Sequence, residues 1–167
     1  MSPSFTLRRL GASDALTYRD LRLLGLRSHP EAFGASFEDE AGRTVEWFAE
    51  RLDLNVVWGG WRDGDPDLAG VAALHVSGAA KARHKGVLWG MFVRSEVCGS
   101  GLAAALAERV LAHAKDVVEE VRLSVVASNV AAVRLYTQLG FRPYGVEPRA
   151  LKVGGEYHDE VLMALRF

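Results

Sequence analysis

Cysteine is almost absent from this 167-residue chain: Cys98 stands alone. A lone thiol excludes an intramolecular disulfide and a clustered thiolate metal site, and it fits a reducing, cytosolic setting. A large excess of one charge is also missing. The formal net charge is -1, which argues against a nucleic-acid partner gripped by a basic surface. Long apolar runs are missing too. Met1–Leu10 lacks the apolar stretch of a signal peptide. Leu102–Leu111 is broken by Glu108 and Arg109, far short of a membrane span. A soluble, cytoplasmic protein with no membrane partner is the expectation. No repeat, low-complexity segment or linker divides the chain, so residues 1–167 read as one domain.

The residues that are present describe a globular protein. Hydrophobic residues make up 49% and charged ones 25%, enough for a real core. Ser4–Leu10 alternates loosely as a first strand. Ser13 is placed to cap a helix to about Arg27, stopped by His29-Pro30. Pro30–Gly42 reads as a loop or short helix, and Thr44 caps a second helix to about Leu52. Asn55–Trp61 and Leu68–Val76 read as a hairpin around Arg62–Asp67. A basic turn holding Lys81, Arg83, His84 and Lys85 leads into Gly86–Val93, an apolar strand buried on both faces if it is central.

Leu102, Leu106 and Val110, like Ala103, Ala107 and Leu111, then repeat at helical spacing. Val121–Ala127 alternates as a strand, and Asn129 caps a short helix ending at Gly140. Phe141–Val146 and Asp159–Leu165 read as strands. The sum is an α+β fold on a mixed, largely antiparallel sheet, with one parallel crossover over 87–127.

One stretch points to chemistry. VCGSGLAAAL, residues 97–106, joins the apolar strand to the alanine-rich helix. Glycines that open a helix leave free N–H groups at the positive end of the helix dipole, a natural seat for phosphate. Gly99–Ala104 fits the dinucleotide fingerprint G-x-G-x-x-G/A. That reading also needs further βα units and an acid at the end of the second strand. Glu119 and Glu120 precede that strand, and Ala127-Ser128-Asn129 ends it. A nucleoside-triphosphate loop is excluded, because no Gly-Lys-Ser/Thr follows.

The strand GVLWGMFV, the loop RSEVCGSGLA, the strand VRLSVVASN and the helix NVAAVRLYTQLGFRPYG together resemble the GCN5-related N-acetyltransferase (GNAT) superfamily. The family loop pattern Arg/Gln-x-x-Gly-x-Gly/Ala falls on Cys98, Gly99, Ser100, Gly101, Leu102 and Ala103. Its second signature falls on Asn129, Leu135, Tyr136, Gly140 and Phe141. HPEAFGASFEDE and YHDEVLMALRF also resemble stretches common in these enzymes, so the resemblance covers nearly the whole chain. It implies an α/β/α-layered sheet of about seven strands with a splayed central pair. Acetyl-CoA is the implied co-substrate, with no metal. The implied acceptor is a primary amine, on a small molecule or a peptide, attacking directly in a ternary complex. Pairing through C-terminal strands makes a homodimer a further expectation.

The resemblance also assigns residues. Backbone N–H groups over Gly99, Ser100, Gly101, Leu102, Ala103 and Ala104 hold the pyrophosphate. The backbone of Met91, Phe92 and Val93 pairs with the pantetheine arm, opposite Val125–Ser128. Cys98 stands where relatives carry Arg or Gln, at the phosphate end of the site. Ala132 belongs to the same binding set. Asn129 either only caps its helix or also reaches the arm. Tyr136 is the general acid toward the departing thiolate, or else one more member of the apolar stripe of Ala132, Val133 and Leu139.

The base stays open. Relatives place an acid on the strand before the loop, where this chain reads Trp89-Gly90-Met91-Phe92. Glu96, in the loop after Val93, reads as facing solvent; His75, Glu31 and Glu38 are weaker substitutes, and a water chain to backbone carbonyls is another. Phe33 and Phe37 are candidates to line an amine pocket. Glu38-Asp39-Glu40 either attracts a cation or is a solvated face. Two other readings remain: a CoA-binding sensor or scaffold without catalysis, and a nucleotide-dependent oxidoreductase domain.

Overall fold

The computed structural model describes residues 4–167. Its strands are β1 (Phe5–Arg9), β2 (Val56–Arg62), β3 (Leu68–Val76), β4 (Lys85–Val93), β5 (Glu120–Val126), β6 (Arg142–Val153) and β7 (Glu156–Arg166). They form one sheet in the order β1-β2-β3-β4-β5-β7-β6. β4 and β5 run parallel and the other neighbours antiparallel. The helices are α1 (Ala15–Ser28), α2 (Phe37–Ala41), α3 (Val45–Leu54), α4 (Leu102–Val117) and α5 (Val130–Gln138). The expected α+β class and the mixed seven-strand sheet are both present.

Two cores flank the sheet. On one face Leu21 of α1 and Phe48 of α3 pack on Val57 and Val71. On the other, Leu102, Leu106 and Val110 of α4 pack on Val121 and Met163. The start of α4 sinks into the sheet because two strands carry no side chain beneath it. A Cβ at Gly60 would lie 2.6 Å from Leu102 Cδ1, and one at Gly70 would lie 3.1 Å from Leu102 Cδ2. That close approach fixes where the glycine loop ends.

Several boundaries differ from expectation. Ser13 does not cap α1; it lies in a 3-10 turn, Ala12–Asp14. The Asp14 carboxylate accepts the Gly11 N–H at 2.9 Å and two Arg8 N–H bonds at 2.8 and 3.0 Å. A cation on β1 therefore decides where the helix begins. β4 is central yet not buried on both faces, since Val87 is exposed and Trp89–Val93 are half-buried. β6 and β7 run longer than their apolar cores. A Gly154-Gly155 turn with φ 57° and 84° matches hairpin twist and carries the ladder to Val153↔Glu156.

Within that hairpin Glu147 stands opposite Glu160. Partial burial, and then the Glu147 charge, raise the Glu160 carboxyl above its ordinary value. A raised carboxyl favours folding below the ordinary carboxylate range, and that benefit is lost as pH rises through the folded value. Glu147→Gln should therefore raise the melting temperature at about pH 7.5 and give no gain at about pH 3.5. Equal gains in both melts would assign the effect to something other than charge. Among the described residues, no helix is long and apolar enough to cross a membrane.

Candidate active site

The β4–β5 ladder stops early. Its residue pairs are Lys85↔Glu120, Gly86↔Val121 and Val87↔Arg122, and beyond them the strands part. The cause lies on the other side of β4. Trp89 pairs with Ala73 and Phe92 with Val71, so Gly90 and Met91 together oppose Ala72. Gly90 has φ 65°, a left-handed conformation that glycine adopts without Cβ strain. Such a bulge bends its strand and increases the twist, which turns Met91–Val93 away from β5.

A cleft of about 710 Å³ occupies the gap. Met91, Phe92 and Val93 form its β4 wall, and Asn129, Ala132 and Tyr136 face it from the α5 side. The glycine loop closes one end. Gly99 and Gly101 have φ 76° and 91°, and no side chain caps α4. The N–H groups of Leu102, Ala103 and Ala104 consequently have no acceptor among the described residues, and these residues line the cleft. Free N–H groups at the positive end of a 16-residue helix make a cradle for an anion.

Ser100 stands apart from the rest of its loop. Its hydroxyl and its N–H both donate to the Val97 carbonyl, and it lines a small hollow beside Arg62 instead of the cleft. Cys98 is exposed at the loop end of the cleft. Asn129 Oδ1 accepts the Ala132 N–H at 3.2 Å. That caps α5 and leaves the side-chain amide N–H groups without a partner among the described residues.

Tyr136 packs edge-on against Phe141 with ring centroids 5.8 Å apart. Its hydroxyl makes no hydrogen bond to any described residue, and burial pushes its pKa up to about 12. The group therefore keeps its proton across any ordinary assay range.

His29, Glu31 and Phe33 also line the cleft. Phe33 meets Phe92 with centroids 6.4 Å apart. Phe37 and Glu38 are not in this cleft. They face a second hollow of about 470 Å³, between residues 34–38 and Leu151–Gly154, which meets the first at Phe33. His75 is also remote, because antiparallel pairing sets it opposite Val87, before the bulge. There its Nδ1 lies 3.0 Å from Asn55 Oδ1.

The acidic run divides as well. Glu38 and Asp39 are exposed, but Glu40 is buried and bound bidentately by Arg22, at 3.1 and 2.8 Å. The residue pattern alone points to neither this pair nor the bulge, and it gives His29 only a part in a helix stop. For the bulge, the available signal is an isolated glycine within a strand pattern. Among the described residues, no group of three His, Cys, Asp or Glu side chains is placed to hold a metal ion.

The sequence matches the acetyltransferase (GNAT) family over residues 22–141. No curated protein sequence matches it. Solved structures share the fold. A GNAT-family acetyltransferase from Streptococcus pneumoniae superposes with a TM-score of 0.83 at 23% identity, covering 98% of this chain and 100% of that one. The yncA protein of Salmonella typhimurium, solved with its cofactor acetyl-CoA, gives 0.80 at 19% identity over 98% and 94%. A ribosomal-protein-alanine N-acetyltransferase from Brucella melitensis gives 0.80 at 18% identity over 97% and 99%.

Proposed function

The chain belongs to the acetyltransferase (GNAT) family, and from that premise we propose that it is an N-acetyltransferase. In this reading it moves the acetyl group of acetyl-CoA to a primary amine, of a small molecule or a peptide, by direct attack with both partners in one cleft. The carrying observation is the open β4–β5 gap that runs into the unpartnered N–H groups at the start of α4. An extended, anion-tipped ligand fits such a site, since strand backbone accepts it as another strand would and the helix start takes its charge. The Brucella neighbour's activity supports an amine acceptor. The oxidoreductase reading loses its ground, because among the described residues the β4–β5 pair is the sheet's one parallel unit and the family match runs through it.

When bound, acetyl-CoA supplies a thioester acetyl group and a thiolate leaving group. Gly99 and Gly101–Ala104 offer backbone N–H groups to its pyrophosphate, without Ser100. Met91–Val93 orient the arm along β4, toward the bulge where the gap closes. Tyr136 Oη holds its proton and presents it to a developing anion. Its pKa of about 12 lies above that of an ordinary thiol, about 8.5. A strong hydrogen bond to sulfur is thus its principal contribution, ahead of full proton transfer.

The test is an amine panel, with phenethylamine, spermidine, amino acids and free N-terminal peptides, read by release of the CoA thiol. Turnover with one of them is expected. Tight acetyl-CoA binding with no release from any would favour a sensor, and NAD binding with none for CoA would overturn the family chemistry.

Cys98 gives a further expectation. A thiol is a poor substitute for the family's long polar side chain at this position, and the site is exposed. Cys98→Arg should tighten CoA binding about three- to fivefold, the scale of one exposed charge pair. Unchanged affinity in a titration would mean that the backbone N–H groups suffice.

A further inference from the structure

A protonated amine cannot attack, so acetyl transfer needs a group to take its proton. β4 supplies no carboxylate at the cleft. Among the described residues, the titratable side chains lining the cleft are His29, Glu31, Cys98 and Tyr136. Cys98 sits on the glycine loop, at the anion end. Tyr136 holds its proton too tightly to accept another's. His29 and Glu31 remain, and both line the cleft, with His29 against Phe92, next to the β4 bulge.

Their geometry divides the work. The His29 ring lies 6.2 Å, centroid to centroid, from Phe92, the first residue past the Gly90-Met91 bulge. His29 Nδ1 lies 4.0 Å from Glu31 Oε1. A carboxylate on one ring nitrogen fixes the tautomer and leaves the other nitrogen as proton acceptor; such contacts are often long before substrate binds. The backbone here is pinned. The His29 N–H donates to the Gly25 carbonyl at 2.9 Å, and the His29 carbonyl accepts the Ala32 N–H at 3.0 Å. Arg22 and Glu40 tie together the helices on either side of this segment. The His29 side chain is 55% exposed, which leaves a route to water for the proton it takes.

We propose that His29 is the general base of the reaction, with Glu31 orienting its ring; this rests on the acetyltransferase reading above. One proton of the protonated amine passes to His29 Nε2, the neutral nitrogen bonds to the acetyl carbon, and the second proton it then sheds goes to the departing sulfur, which leaves as the thiol. The carbon–sulfur bond breaks with its electron pair on sulfur, beside the Tyr136 hydroxyl. His29 then releases its proton to solvent.

The test compares His29→Ala, His29→Gln and Glu31→Gln with the unmodified protein. It uses phenethylamine, which is protonated at assay pH, and hydroxylamine, which is already neutral. His29→Ala should lower kcat for phenethylamine about 100-fold, the usual scale of general-base loss, with acetyl-CoA Kd within about twofold. Added imidazole should restore part of the rate, hydroxylamine should lose far less, and Glu31→Gln should fall between. Should His29→Ala fail to fold, His29→Gln, close in size, gives the same readout. Retained kcat, or equal losses with both acceptors and no imidazole rescue, would overturn the proposal while leaving the acetyltransferase reading intact. Absence of amine turnover in the unmodified protein would sink both.

Discussion

Tyr136→Phe should cut turnover about 100-fold and leave acetyl-CoA affinity unchanged. The substitution removes one oxygen and keeps the ring that packs edge-on against Phe141, so neither fold nor cleft shape has reason to change. The lost group is a hydroxyl with no partner among the described residues, at the wall of the cleft. On the acetyltransferase reading proposed above, that hydroxyl is the one offered to the departing sulfur. Burial pushes the hydroxyl's pKa up to about 12, so no basic limb from Tyr136 should appear in the rate profile across the ordinary assay range. The measurement is a kcat and Kd pair, from thiol release and calorimetry. Normal turnover with normal binding would reduce Tyr136 to a core tyrosine.

The largest stability loss is expected at Arg22→Met. Arg22 and Glu40 have side chains only 5% and 6% exposed, and they close a two-bond fork between α1 and α2. The guanidinium also lies 5.7 Å from the Phe33 ring and 5.3 Å from that of Trp89. Removing the cation leaves a carboxylate buried without its partner, a cost of about 3–5 kcal/mol. For a chain of this size that means a melting temperature lower by about 10 °C. The double variant Arg22→Met/Glu40→Leu should recover most of the loss, since a well-packed apolar pair is often as stable as the ion pair it replaces. Denaturant titrations of both variants decide it. A double variant no more stable than the single one would show that Arg22 matters through its aromatic neighbours and not through Glu40.

Much of this was legible in the chain. The α4 stripe of Leu102, Leu106 and Val110 is local and strongly periodic, and so is the alternation of β5. Asn129 and Thr44 cap their helices as short polar side chains before a helical run do. What escaped depends on distant partners. Glu40 looks like its neighbours Glu38 and Asp39 until α1 brings Arg22 against it. Asp14 displaces Ser13 because Arg8 reaches it from β1. Glu38 and His75 are plausible site residues by type alone, and sheet register and one loop carry them elsewhere. The bulge had a local sign in Gly90, and the last hairpin had one in Gly154-Gly155. Both are turn chemistry, which apolar periodicity does not register.

The short β4–β5 seam has a mechanical consequence. Three residue pairs of ladder join strands β1–β4 to strands β5–β7, with α4 packed across both halves and the Pro30–Ala32 turn touching β5 and β6. The sheet is thus two plates that share a brief edge. A ligand that bridges the open part of that edge finishes the joint and stiffens the whole sheet. Its binding free energy then adds directly to resistance against unfolding. Heat resistance alone should therefore report whether the gap is filled, before any acceptor is known.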